Sequence, residues 1–249
     1  MDCKVIYREE IGSTNNFLRE YDGGEDMVVA WTDFQTAGRG QGINRWESER
    51  GKNLTFSILI HPKEVDAAGQ YVLSMLAAVS ISEYLADVLH RDIRVKWPND
   101  IYVDDMKIAG ILIESRLSGQ HIKDCIIGIG LNVNQRVFES DAPNPVSMSL
   151  VDGRKHNREE VLQSLLRLFM RRLEHFDSEE IRRSYRNRLY RRSGMHRYRD
   201  AAGTFMAEII TVEDDGHIVL RDTENRERRY AFKEVAFVPE PKRDKQNRA

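Results

Sequence analysis

The run IRVKWPNDIYVDDMKIAGILIESRLSGQHIKDCIIGIGLNVN, residues 93–134, reads as successive strands separated by tight turns. IRVKW (93–97) is closed by Pro98, which cannot donate to a sheet ladder and so favours an edge or an end. IYV, a turn at Asp104–Asp105 and MKIAGILIESRL (106–117) form a hairpin pattern. LSGQ then turns the chain into IKDCIIGIGLNVN (122–134), a near-continuous apolar strand. Strands joined in this way predict an antiparallel or mixed sheet.

The flanking segments supply what such a sheet needs. One long helix is predicted from Ala67 to His90, with Val72, Leu76, Val79, Leu85, Val88 and Leu89 near a 3.6-residue period. NLTFSILIHP (53–62) alternates as a half-buried strand, and MVVAWTDF (27–34) is a buried strand emptying into the glycine-rich loop QTAGRGQGINRW (35–46). Lys4–Ile11 is a first strand, and Ser13 stands in the N-cap position before the helical pattern TNNFLREY. Beyond Asn157 come an amphipathic helix, REEVLQSLLRLFMRRLEHF, and a second helical stretch up to Arg192. GTFMAEIITV, HIVLRD, RERRYAF and KEVAFV then read as short strands of a small barrel-like module, and the polar tail PEPKRDKQNRA as disordered. The expectation is an α+β fold, a mixed sheet with helices over residues 1–193, a β-module over 194–240 and a tail over 241–249.

Composition narrows the function. With 41% apolar and 31% charged residues the chain has the balance of a soluble globular protein, and no run approaches eighteen consecutive apolar residues. MDCKVIYREE is acidic where a signal peptide needs an apolar core, so a cytoplasmic protein is expected, with no membrane partner. Cys3 and Cys125 stand far apart and read as buried small hydrophobes of a reducing compartment. A net charge of −2 gives no nucleic-acid footprint. Ten arginines between Arg171 and Arg199 read either as solvated helix faces meeting Glu174, Glu179 and Glu180 or as a docking surface for an acidic partner.

Three constellations carry chemistry. GRGQG (38–42) follows a strand without opening a helix and has neither dinucleotide nor Walker spacing. Its backbone N–H groups and the Arg39 guanidinium suit a phosphate or carboxylate, the alternative being a plain surface loop. In KWPNDIYVDDMK, a short hairpin can return Lys107 to the neighbourhood of Asp100, although Lys107 also reads as an edge lysine snorkelling to water. Trp97 reads more simply as a core residue than as a substrate contact. In IGIGLNVN, Gly128 and Gly130 share a strand face with Asn132, leaving room for a ligand or for close packing.

Together STN (13–15), QTAGRG (35–40), KWPND (96–100), MKIAGILIE (106–114) and GIGLNVN (128–134) resemble biotin–protein ligases in order and spacing over nearly the whole chain. The resemblance implies a catalytic domain related to class II aminoacyl-tRNA synthetases, and the stretch from Gly203 to Phe232 is similar to the SH3-like domain that ends bacterial members. It implies an ATP-dependent ligase that forms biotinyl-5'-AMP and passes biotin to a lysine of a biotin carboxyl carrier domain, using Mg2+. Ser13, Thr14, Asn15 and Gln35 would hold the biotin head group. Gly38, Arg39, Gly40 and Gln41 would close over the adenylate, and Lys107 would meet the biotin carboxylate and α-phosphate. Gly110, Gly128 and Gly130 would leave space for the ligand. Asn99, Asp100 and Asn132 would serve the nucleotide, Asp100 also the magnesium, and Trp46 would lie near the adenine. Lys107, Arg39 and Asp100 are thus the expected catalytic residues.

Two departures matter. Many bacterial members carry a winged-helix domain before STN, whereas here the first strand begins by Lys4, so operator DNA binding is not expected. Gln41 and Asn44 stand where many members have arginine. The alternatives are a lipoate–protein ligase and a biotin-responsive regulator without catalysis. Relatives also make a homodimer possible.

Overall fold

The computed structural model describes residues 2–42, 44–62, 65–139 and 144–239. The predicted tail over 241–249 lies outside them. The chain divides into two compact units, Met1–Tyr190 and Arg191–Ala249.

The first unit is built on a seven-stranded sheet. In chain order its strands are β1 (Cys3–Ile11), β2 (Met27–Gln35), β3 (Leu54–Ile60), β4 (Ile93–Lys96), β5 (Asp100–Val103), β6 (Met106–Ser118) and β7 (His121–Leu131). They lie side by side as β1-β2-β3-β7-β6-β5-β4. β1 and β2 are parallel and every other pair is antiparallel, so the sheet is mixed. β4 is an edge strand, one of the two placements Pro98 favours, and the Trp97–Pro98 peptide is cis. Leu189 bridges to Val95 on that edge, and backbone bonds at 2.8 Å run from Val95 N to Arg188 O and from Tyr190 N to Val95 O. This pairing explains why the second helix stops early: helix α5 spans Ser178–Asn187 rather than reaching Arg192, because the chain beyond it satisfies the open edge of β4.

One face of the sheet is covered by α2 (Tyr71–Leu89) and α4 (Arg158–Glu174). Phe56, Ile58 and Ile129 meet Ala77, Ile81, Leu165 and Phe169 there. α2 differs from the predicted helix in two ways. Its start is a 3-10 turn, Ala67–Gly69, and it is buried almost all round rather than on one stripe, with 14 of its 19 residues inside. Ser80 and Ser82 are buried too, donating to Leu76 O and Val79 O. Ala67–Leu89 is long and apolar enough to cross a membrane, and here it is the core helix of this unit. Asn157 and Asp177 cap α4 and α5 with side-chain oxygens that accept backbone N–H groups.

On the other face α1 (Thr14–Arg19) lays Leu18 against Val28, Ala30, Leu59 and Ile126. Ser13 is its N-cap by backbone conformation, but the hydroxyl makes no cap bond, contrary to expectation. A short helix missed in the sequence, α3 (Met148–Asp152), is capped by Ser147 and ended by Gly153 at φ 79. Cys125 is buried as expected, whereas Cys3 is only half-buried.

The second unit is a five-stranded antiparallel sheet. Its strands are β8 (His196–Asp200), β9 (Gly203–Val212), β10 (Ile218–Asp222), β11 (Glu227–Tyr230) and β12 (Ala236–Phe237), in the order β11-β10-β9-β8-β12. β8 escaped the sequence reading because four of its five residues are charged or histidine; Tyr198 alone turns fully inward. The buried Asp222 carboxylate accepts from Arg226 N, Glu224 N and the Arg226 and Arg228 guanidinium groups, which hold it well below the usual carboxylate range.

Candidate functional site

Residues paired across strands share a face of the sheet, so register alone lays out the site. One row across six strands reads Thr32, Thr55, Gly130, Gly110, Asp100, Lys96. The neighbouring row reads Ala30, Ser57, Gly128, Leu112, and the next reads Val28, Leu59, Ile126, Glu114. This is the α1 face. It has a polar, glycine-floored half beside an apolar one.

Lys107 joins this face through an irregularity. Tyr102 pairs with Lys107 and Ile101 with Ala109, so Ile108 is an extra residue, a β-bulge. In a regular strand Lys107, three residues before Gly110, would point to the opposite side. The bulge keeps both Ile108 and Ala109 fully buried and swings the ammonium back over Gly110. There Lys107 Nζ lies 2.5 Å from Asp100 Oδ1, each side chain about a fifth exposed. The expected proximity of the two therefore holds. The Lys107 backbone is pinned from outside the sheet, its N–H donating to Asn144 O at 2.8 Å and its carbonyl accepting from Val146 N at 2.9 Å.

The glycine-rich loop folds back on itself. Arg39 bridges to Arg45, Gly40 N donates to Asn44 O at 2.8 Å, and Trp46 N donates to Gly38 O at 3.3 Å. This delivers the Trp46 ring onto the glycine floor. A Cβ on Gly130 would overlap the indole, and one on Gly110 would come within 3.1 Å of it. A Cβ on Gly128 would likewise overlap the Asn15 amide. Of the two readings of these glycines, close packing is what the structure displays, and the packed groups are themselves predicted site residues. Lys107 Nζ is 5.7 Å from the centre of the Trp46 ring. Past the tryptophan, Gln135 ties the loop down by accepting from Glu49 N at 3.0 Å and donating to Glu47 Oε1 at 3.1 Å.

The head-group residues form one connected network. Thr14 N donates to Gln35 Oε1 at 2.8 Å, and Thr14 Oγ1 lies 3.1 Å from the same oxygen. Ser57 Oγ lies 2.6 Å from both Thr14 Oγ1 and Asn15 Oδ1. Asn15 Nδ2 donates to Glu114 Oε2 at 2.8 Å. Glu114 Oε1 meets Arg19 at 2.7 Å and Arg39 at 3.0 Å, and both guanidinium groups also donate to Asn16 Oδ1. Ser13 is buried beside this group. Ser57, Glu114 and Arg19 were missed in the sequence. The available signal was a serine inside the otherwise apolar FSILI and a glutamate four residues, hence one face, from Gly110.

Three predicted residues behave in particular ways. Asn132 Nδ2 donates to Val146 O at 3.0 Å, while among the described residues its buried Oδ1 has no partner. Asn99 Nδ2 donates to Ile111 O at 2.6 Å, which fixes the amide and leaves its Oδ1 and second N–H for a nucleotide contact. Gln41 Oε1 is buried and, among the described residues, unpartnered. Trp97 is a core residue. At the edge of the site Tyr102 accepts from Lys96 Nζ at 2.9 Å, and burial, followed by the charge of Asp100, pushes its hydroxyl pKa above the tyrosine range. In the arginine-rich segment Arg172 meets Glu83 at 2.7 Å and Glu180 at 2.9 Å, and Arg182 meets Glu179 at 3.0 Å. The pairing with Glu179 and Glu180 is as the helix-face reading had it, with Glu83 of α2 as an added partner, but Arg172 and Arg182 themselves are largely buried rather than solvated.

Residues 8–132 match the model of the biotin/lipoate A/B protein ligase family. The bifunctional ligase/repressor BirA of Bacillus subtilis is 27% identical over 241 residues, covering 93% of this chain and 73% of that protein. The biotin–[acetyl-CoA-carboxylase] ligase of Paracoccus denitrificans is 28% identical over 202 residues, covering 78% of this chain and 83% of that one. The biotin protein ligase of Aquifex aeolicus, solved with biotin and ATP, superposes with a TM-score of 0.78 at 24% identity, covering 95% of this chain and 99% of that one. With the family model spanning half of the sequence and its motifs gathered on one face of one sheet, the chain belongs to the biotin/lipoate A/B protein ligase family, as a biotin–protein ligase.

Proposed function

We infer that the chain activates biotin with ATP to biotinyl-5'-AMP and transfers the biotinyl group to a lysine of a biotin carboxyl carrier domain. The observation that carries this reading is the Lys107–Asp100 pair on a glycine floor beneath the loop that bears Arg39 and Trp46. In the first step a carboxylate attacks the α-phosphorus while pyrophosphate leaves, and two anions must approach each other. An ammonium between them relieves that repulsion: a charge pair at about 4 Å with effective dielectric about 20 amounts to roughly 4 kcal/mol. Realised in the transition state alone, this is about three decades of rate. The bulge matters because it keeps that ammonium on the glycine-floored face of the sheet.

Thr14, Asn15 and Gln35 hold the biotin head, with Ser13 beside them. Arg39, Gly38, Gly40 and Gln41 cover the mixed anhydride from water until the carrier lysine attacks. Asp100, Asn132 and Trp46 serve the nucleotide. Magnesium bound with ATP fits this side: a half-buried carboxylate and an unpartnered buried amide oxygen, Asn132 Oδ1, are oxygen donors of the kind it takes. Held by Asp100 and the phosphates, it would neutralise charge on the departing pyrophosphate.

The five-stranded second unit is read as the SH3-like module over 194–240. Two free thiols are in keeping with a reducing, ATP-supplied compartment, the cytoplasm. The reading needs neither DNA nor a second copy of the chain.

The test is ATP–pyrophosphate exchange with biotin or lipoate as the acid, followed by mass spectrometry of a carrier domain. Biotin-dependent exchange and a biotinyl mass shift are expected. Exchange with lipoate alone, or binding of biotin without exchange, would replace this reading.

A further inference from the structure

We propose that Glu114 and Ser57 are positioning residues that set the hydrogen-bond polarity of the head-group site, making it select acids whose ring carries N–H donors. The proposal rests on the biotin reading and goes beyond it by naming what enforces the choice.

An ionised carboxylate only accepts. Glu114 Oε2, 2.8 Å from Asn15, therefore turns the Asn15 amide so that its NH2 faces Glu114 and its Oδ1 faces Ser57. Arg19 and Arg39 on Glu114 Oε1 hold its carboxylate in place. Asn15 Oδ1 cannot donate, so the Ser57 hydroxyl proton must go to it. That leaves Ser57 Oγ with lone pairs toward Thr14 Oγ1, 2.6 Å away, and Thr14 must supply the proton for that contact.

The protons can be counted. Two hydroxyl protons, from Ser57 and Thr14, face three oxygen–oxygen contacts: 2.6 Å from Ser57 to Asn15, 2.6 Å from Ser57 to Thr14, and 3.1 Å from Thr14 to Gln35. The two short contacts take both. The long one is left with lone pairs of Thr14 Oγ1 facing Gln35 Oε1, whose orientation is fixed by Thr14 N–H at 2.8 Å. Two acceptors without a shared proton call for a donor from outside. The cyclic urea of biotin carries two N–H groups, whereas a dithiolane or a plain alkyl chain carries none. A site built of buried acceptors discriminates strongly against a ligand that cannot supply the matching donor.

Ser57 is fully buried and Asn15 lies on Gly128, so the relay is held by close packing on both sides. Reversing its direction needs a donor in place of Glu114, which is what Glu114→Gln offers: its amide can present NH2 to Asn15 and let that amide flip.

The experiment measures pyrophosphate release by the full chain and its Glu114→Gln and Ser57→Ala variants, with biotin, desthiobiotin and lipoate as acids. Ser57→Ala removes one buried atom, so it serves where Glu114→Gln disturbs Arg39. Expected for both variants is a KM for biotin and for desthiobiotin, which keeps the urea ring, raised on the order of tenfold. The KM for ATP and kcat should stay within about twofold, and selectivity over lipoate should narrow. An unchanged biotin KM, or parallel losses in kcat and in the KM for ATP, overturns the proposal. Absence of biotin-dependent release from the unsubstituted chain would instead sink the functional reading itself.

Discussion

Lys107 and Asp100 face each other at 2.5 Å across neighbouring strands, and the extra residue Ile108 brings Gly110 to the same face as that pair. The carboxylate of Asp100 is the anionic partner of the ammonium, a place that a substrate carboxylate or phosphate would take in the proposed mechanism.

Lys107→Ala removes the cation and little core volume. Biotin-dependent pyrophosphate release should fall about a thousandfold, from the roughly 4 kcal/mol estimated for such a charge. Thermal unfolding should move little, because a partly exposed ion pair contributes about 0–1 kcal/mol. Near-normal release from a folded variant refutes the role.

Asp100→Asn tests the nucleotide side. The amide keeps the shape and loses the charge, so the KM for ATP should rise and adenylation should slow by about ten- to a hundredfold, or ~1.4–2.7 kcal/mol. Biotin binding in the absence of ATP, followed by calorimetry, should be unchanged within about twofold. A variant that loses biotin affinity and keeps its KM for ATP would assign Asp100 to the other substrate.

Gly130→Ala places a methyl group where the Trp46 indole lies. The ring must leave the floor or the strand must shift, at a cost of about 1–3 kcal/mol. Tryptophan emission should move to longer wavelength in Gly130→Ala, and the shift should vanish when Trp46→Phe is added. An unshifted spectrum would mean that the indole does not rest on Gly130.

Gln41 can offer only neutral hydrogen bonds, roughly half as strong as those of a guanidinium to an anion. Gln41→Arg should slow the escape of preformed biotinyl-adenylate at matched salt without speeding adenylation. An equal or faster off-rate would show that Arg39 or Arg45 already supplies the charge.

High pH should unfold the chain through groups far from the site. Burial pushes Cys125 up to about 12 and Tyr84 up to about 12, and raises Tyr71 and Tyr185 well above the tyrosine range. The folded chain holds protons that the unfolded chain releases from model values of 9.0 and 10.0, so stability falls as pH rises. Urea midpoints should hold steady below about pH 9 and decline above it. A thiol reagent at pH 8 should label Cys3 alone until denaturant exposes Cys125. Equal labelling of both in the folded state would contradict that burial.

What could be read in advance followed from local rules. The Asp104–Asp105 turn returns Lys107 toward Asp100 whatever the rest of the chain does, and Pro98 marks an edge because it lacks an N–H. What could not be read depended on partners distant in sequence. Nothing in KIAG marks Ile108 as supernumerary, since the mismatch exists only against Tyr102 and Ile101. Glu114 in a strand that ends exposed looks like a solvent-facing residue until Asn15, 99 residues away, is laid beside it. The all-round burial of α2 was invisible because α4 and α5, which cover its far side, begin only at Arg158 and Ser178. Ser13 had the right residue type for a cap, but its hydroxyl makes no cap bond, and only the fold revealed that.

The extra residue at Ile108 gives the site a parity. Side chains along a strand alternate in twos, and Lys107 stands an odd three residues before Gly110, so the two share a face only because Ile108 is taken up as a bulge. Pulled into regular register without the bulge, the same residues would set Lys107 and Gly110 on opposite faces, whereas deleting Ile108 outright leaves an even spacing and keeps them on one. In this stretch of chain, register counts as much as composition: which residue is bulged decides which side chains can meet, although Ile108 itself is fully buried.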